Sequence, residues 1–85
     1  MAKIKVDGVE VEGKVSTTMA SRIEDGVNVL EITGALKTEK YFEEINKIET
    51  NRFDIEGVYV YAEHYGTEEN EIVYEFLAED IKVRQ

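Results

Sequence analysis

The chain has no cysteine and no proline among its 85 residues, and only one histidine. Without thiols it forms no disulfide and no thiolate zinc site, and it has no cysteine nucleophile. Lack of proline argues against a proline-rich linker or tail. No apolar run approaches the ~20 residues of a membrane span, and the N-terminus lacks the apolar core of a secretory signal. The expectation is a complete, cytoplasmic protein with no membrane contact.

A further absence is local. Between Phe53 and Ile81 there is no Lys or Arg, while Asp54, Glu56, Glu63, Glu68, Glu69, Glu71, Glu75, Glu79 and Asp80 all fall there. That stretch alone matches the formal net charge of −9. Such a surface repels nucleic acid and anionic membrane and favours basic partners. Lys3, Lys5 and Lys14, with Arg22, Lys37 and Lys40, make too small a basic patch to reverse this. Direct nucleic-acid binding is therefore not expected.

Turning to what is present, 85 residues suffice for one domain (1–85) and not for two cores. The hydrophobic fraction of 42% is ordinary for a globular chain and falls in periodic runs, which outweighs the 34% charged residues and predicts an ordered fold. Lys3-Ile4-Lys5-Val6 and Val9-Glu10-Val11-Glu12 alternate around Asp7-Gly8, the pattern of a hairpin with a type I′ turn. Weaker alternation continues through Val15, Thr17 and Met19, with Gly13 as a candidate bend. Glu24-Asp25-Gly26 marks a second turn, and Val27 to Ile32 reads as a strand.

Tyr41, Phe42, Ile45 and Ile48 recur at helical spacing, which predicts a helix from about Thr38 to Glu49. Thr38 is its candidate N-cap, Glu43 and Lys47 an i,i+4 pair, and Asn51 its candidate end. Val58 to Glu63 and Ile72 to Leu77 form a closing hairpin across a long polar connection. The expected class is α+β: a mostly antiparallel sheet of four or five strands with one helix across one face.

An opening hairpin from Lys3 to Met19, one helix and a Tyr- and Val-rich closing hairpin resemble the β-grasp group and the immunoglobulin-binding domains of streptococcal surface proteins. Those domains lack the additional Val27–Ile32 strand, and their antibody-contact residues have no counterpart here. The chain also resembles small accessory proteins from tailed-phage structural gene clusters. The residues in question are the opening hairpin, Val29-Leu30-Glu31-Ile32, Phe42-Glu43-Glu44 and Val73-Tyr74. That resemblance implies an assembly role and, if phage-encoded, a virion-associated location.

The chain carries no recognisable catalytic set. His64 would need Ser16 or Ser21 beside it, and neither serine sits in a nucleophile elbow. Glu68, Glu69, Asn70 and Glu71 are oxygen-rich but lack the ligand alternation and mid-loop glycine of a calcium loop. The six glycines never reach phosphate-loop spacing. No enzyme activity, metal or cofactor is expected.

Val58 to Ala62 is apolar on both faces, with Val58, Val60 and Ala62 on one side and Tyr59 and Tyr61 on the other. Val73 and Leu77 extend the pattern opposite Ile72, Tyr74 and Phe76. Either this is a central strand sealed on both sides, or one face is covered by another protein. The first functional expectation is a non-enzymatic interaction or assembly module that contacts a protein partner or its own copy. It would use Tyr59, Tyr61, Tyr65, Val73 and Leu77, with Lys3 and Glu12 guarding the sheet edge. The alternative is an acidic inhibitor that mimics phosphate charge against a basic enzyme through Glu63, Glu68, Glu69, Glu71 and Glu75.

Overall fold

The computed structural model describes residues 3–66 and 71–84. Its regular elements are β1 (Lys3–Val6), β2 (Val9–Glu24), β3 (Val27–Thr38), β4 (Lys47–Glu49), β5 (Phe53–Glu56), β6 (Tyr59–Tyr65), β7 (Ile72–Ala78) and β8 (Asp80–Val83). There is no helix among the described residues. The described residues are all-β with eight strands, so the α+β expectation of four or five strands and a helix is overturned.

The segment expected to be helical fails for a tertiary reason. Thr38 is the last residue of β3, residues 39–46 are irregular, and Lys47–Glu49 is a short strand. Ile48 pairs with Val6 on one side and Ile55 on the other, and all three are fully buried. A lone helix of about three turns cannot match that burial, because short helices are marginal without packing. The Thr38 hydroxyl donates to the Glu12 carbonyl (3.3 Å) and accepts from the Lys40 N–H (3.3 Å), so it closes a turn instead of capping a helix. The Asp7 carboxylate accepts the N–H groups of Asn46 (3.1 Å) and Lys47 (2.8 Å), tying the irregular segment to the first turn. Lys47 reaches Glu49 (3.5 Å) and Glu56 (3.9 Å), not the expected Glu43. Asn51 lies in the turn between β4 and β5, where Thr50 N–H donates to the Phe53 carbonyl (2.9 Å).

Local turn chemistry behaves as the sequence predicts. Asp7 and Gly8 have φ of 49° and 85°, and Asp25 and Gly26 have 50° and 77°. Positive φ at both central residues gives the twist that antiparallel strands need.

The sheet order is β6-β7-β3-β2-β1-β4-β5-β8, all antiparallel. Its two ends are joined through the chain. β5 continues into β6 through Gly57 and Val58, and β7 continues into β8 through Glu79. β5 pairs with β8, and β6 with β7, in one register up to Val60, so they form a single long ribbon. Because β7 also pairs with β3 and β5 with β4, the ladder closes on itself. Counting the two continuous pairs once each, the eight strands make six staves of a barrel. Closure is the surest way to remove exposed sheet edges.

Two glycines permit the corners. At Gly13, β2 passes from pairing with β1 to pairing with β3, and a Cβ there would strike the Lys37 carbonyl oxygen. This is the bend that Gly13 suggested. At Gly57 (φ 66°) the ribbon kinks opposite Glu79, whose N–H donates to the Glu56 carbonyl (3.2 Å). Val6, Leu36, Ile48, Ile55, Tyr74 and Phe76 fill the interior. The Phe76 ring lies over Gly34, where a Cβ would come within 2.6 Å of its tip. β1 lies between β2 and β4, so Lys3 and Glu12 face each other across an interior pair and guard no edge.

One part of the sheet outruns the barrel. β7 follows β3 only as far as Ile32, and β1 follows β2 only to Glu12. Ala20–Glu24 and Val27–Glu31 therefore pair with each other alone. This projecting arm stretches the molecule to 45 × 30 × 19 Å. The radius of gyration is 13.4 Å, against about 12 Å for a compact chain of this length.

Candidate functional site

The free edge of β6 is the place where exposed aromatic side chains, an opening in the barrel wall and unpaired charge coincide. Register explains Tyr59 and Tyr61. Val60 pairs with Phe76 and faces inward, so its neighbour Tyr59, opposite Leu77, faces outward. A bulge between Val60 and Ala62 leaves Tyr61 without a partner on β7. Tyr59, Tyr61 and Tyr65 are 65%, 53% and 85% exposed.

The bulge also changes which side chains share a face. Ala62 and His64 pair with Glu75 and Val73 on the same outward side as Tyr59 and Leu77, while Glu63 and Tyr65 fall beside Tyr74 and Ile72. Ala62 therefore does not stay with Val58 and Val60, as simple alternation implied. Of the expected contact residues, the three tyrosines and Leu77 are exposed and Val73 is buried. The strand pair is thus neither fully sealed nor fully open: Tyr74 and Phe76 belong to the core, and its tyrosine rim is wet.

Alongside β6 runs a groove of about 510 Å³. Its far wall is the irregular segment from Phe42 to Asn46, and its floor includes Ile45, Val58, Val60 and Tyr74. The opening arises because β4 has only three residues, whereas β5 and β6 together run from Phe53 to Tyr65. The Val58 N–H donates to the Asn46 carbonyl (3.0 Å), the last backbone bond between the two walls. Tyr74 anchors the far wall, its hydroxyl accepting the Phe42 N–H at 2.8 Å. Burial pushes the Tyr74 phenol above its ordinary pKa; the Phe42 bond pulls it down less, and the nearby Glu63 charge adds to the rise.

Charge is distributed unevenly around the barrel. At the opposite end, Arg84 donates to Asp54 (2.7 Å) and Glu49 (3.1 Å), and Lys82 lies 3.2 Å from Glu56. These bonds raise the pKa of both cations. Glu43, Glu44 and Glu63, which line the groove, have no cation within 4.0 Å among the described residues. The acidic stretch is therefore not one surface. Asp54 and Glu56 are paired, Glu75 sits on the outer face 3.6 Å from His64, and Glu71 accepts the Gly66 N–H at its carbonyl (2.9 Å). Glu68, Glu69 and Asn70, and with them the oxygen-rich loop, lie outside the described residues.

His64 on β6 is separated from Ser16 and Ser21 on β2 by β7 and β3, which rules out a triad between them. Among the described residues no cluster of three or more His, Asp or Glu is placed to hold a metal. Helical spacing places Phe42, Glu43 and Glu44 on a helix and so does not reveal their place on the groove. The adjacent acids of Glu43-Glu44 were the one available signal. No protein-family model, curated protein or solved structure matches the chain.

Proposed function

We propose that this chain is a non-enzymatic protein-interaction or assembly module that meets its partner along the free edge of β6. The observation that carries the reading is the coincidence of exposed Tyr59 and Tyr61 with an unpaired strand edge and an adjoining groove, which the other unpaired edges, at β8 and along the arm, do not combine. Tyrosine buries a large apolar body while its hydroxyl keeps water, which suits it to contact surfaces. An unpaired edge adds backbone hydrogen bonds to that contact. A place in a virion assembly is the setting suggested by the likeness to small phage accessory proteins.

The acidic-inhibitor reading has less support, because Glu63 and Glu75 fall on opposite faces of the β6–β7 ladder and Glu75 lies 3.6 Å from His64, so they do not form one free acidic surface. Phosphate mimicry calls for carboxylates free to meet a basic enzyme.

Site-specific photocrosslinking tests the proposal. A photoreactive phenylalanine analogue is placed at Tyr59 or Tyr61, with exposed Val83 on β8 as control. A discrete adduct from positions 59 and 61, and none from 83, is the expected result in the cells that make the protein. Equal labelling at all three positions, or none at any, would refute the β6 edge as the contact.

A further inference from the structure

We infer that the groove beside β6 binds an extended, cationic segment of another protein, which adds to the barrel as a further strand. This deepens the proposed function and rests on the reading of β6 as the contact edge. Three independent features converge on it.

Beyond Val58, β6 is bonded only to β7 among the described residues, so its outer backbone groups have no strand partner. An extended peptide satisfies such groups by continuing the ladder. The groove lies at that edge, since residues from both faces of β6, such as Val60 and Ala62, line it. Its position beyond β4 is where a longer β4 would have run.

The second feature is shape and polarity. Phe42, Ile45, Val58 and Val60 offer apolar contact to alternate side chains of an incoming strand. The third is charge. Glu43, Glu44 and Glu63 line the groove, no Lys, Arg or His does, and these three acids lack cation partners among the described residues. Elsewhere Asp54, Glu56 and Glu49 each hold a Lys or Arg. An incoming segment that alternates Lys or Arg with apolar residues would neutralise the groove and fill its floor together.

A second copy does not fit this role. Lys3-Ile4-Lys5-Val6 has the right alternation, but β1 lies between β2 and β4. Ile81-Lys82-Val83-Arg84 on the edge strand β8 has it too, but its cations are already engaged by Glu56, Glu49 and Asp54. A net charge of −9 on each copy opposes their approach.

The probe is the capped peptide Lys-Val-Lys-Thr-Lys-Val-Lys, compared with the same sequence carrying Glu for Lys and with an N-methylated form. Binding is followed by calorimetry and by NMR amide exchange of the full chain. The cationic peptide should bind and slow exchange at alternate amides between Val60 and Tyr65. Affinity should fall by about tenfold or more in a Glu43→Gln, Glu44→Gln, Glu63→Gln variant, and again with added salt. The Glu-containing and N-methylated peptides should not bind. All three substitutions are at exposed positions, and the NMR spectrum reports whether the barrel is intact.

Equal binding of the N-methylated peptide would exclude strand addition. Unchanged affinity in the Gln variant would exclude the groove, and no binding at millimolar peptide would exclude the ligand class. Crosslinking from Tyr59 or Tyr61 alongside any of these negatives would leave the interaction module standing and remove only this partner.

Discussion

Leu30 and Ile32 sit two residues apart on the same face of β3, yet Leu30 is 60% exposed and Ile32 only 1%. Ile32 is the last residue of β3 to be flanked by β7, whereas Leu30 is paired only with Ser21 in the arm. The same strand, with the same alternation, thus belongs to a closed barrel at one end and to an uncovered two-stranded ribbon at the other. A ribbon of two strands is marginal in water by itself. Burial here is set by how many strands surround a residue, not by its own character or its neighbours in sequence.

The arm also holds its charges to one side. Arg22 lies 3.1 Å from Glu24 and 3.3 Å from Glu31, while Met19, Ile23 and Leu30 are exposed with Ser21 and Asn28 between them. Exposed ion pairs of this kind contribute little, typically below about 1 kcal/mol. The barrel depends instead on packed apolar residues and closed ladders.

The contrast is most easily broken at Phe76. Truncation to Ala removes a fully buried ring in contact with Gly34 and is expected to cost about 3–5 kcal/mol in denaturant unfolding. A loss below about 1 kcal/mol would mean that the interior is not close-packed. Gly34→Val is the complementary change: a side chain would meet the Ser16 carbonyl and the Phe76 ring, and the expected cost is about 1–3 kcal/mol.

Tyr74→Phe should cost less, about 1 kcal/mol at neutral pH, because the Phe42 N–H loses its acceptor. It also carries a pH signature. Burial holds the folded phenol above its unfolded value near 10. The neutral form is thus favoured by folding, so this contribution is complete below about pH 10 and lost as pH rises through the folded value. Thermal unfolding between about pH 9 and about pH 11 should show the fall, and Tyr74→Phe should flatten it. Lys82, raised by its hydrogen bond to Glu56, loses its contribution in the same direction, so part of the fall should survive in the variant.

The smallest effects belong to the arm. Ile23→Ser and Leu30→Ser should each change stability by no more than about 0.5 kcal/mol, since both side chains are already exposed. Native-state hydrogen exchange sharpens the point. Amides of Ala20–Glu24 and Val27–Glu31 should exchange through local opening, while those of Leu36, Tyr74 and Phe76 should require global unfolding. Equal protection in the two regions would mean that something covers the arm in solution.

The sequence made several elements legible for a shared reason. The Asp-Gly turns, the opening hairpin, the Val27–Ile32 strand and the bend at Gly13 all depend on interactions a few residues apart. Tyr59 and Tyr61 stood out because a two-sided apolar run is anomalous in any half-wet sheet. The groove was not legible, since its walls come from segments some fifteen residues apart that meet only when the barrel forms. Nor was the bulge at Tyr61, which moved Ala62 to the other face through one extra residue on β6 that alternation does not encode.

By itself, the amino-acid order determined turn types, strand propensity, overall acidity and the absence of thiol chemistry. These follow from backbone dihedral preferences, side-chain alternation and composition. Only the tertiary structure decided that Ile48 lies in a strand and not a helix, because its burial between Val6 and Ile55 depends on residues remote in the chain. It likewise decided which carboxylates are matched by cations and which face an open groove, since pairing across the barrel follows from strand order and not from sequence distance.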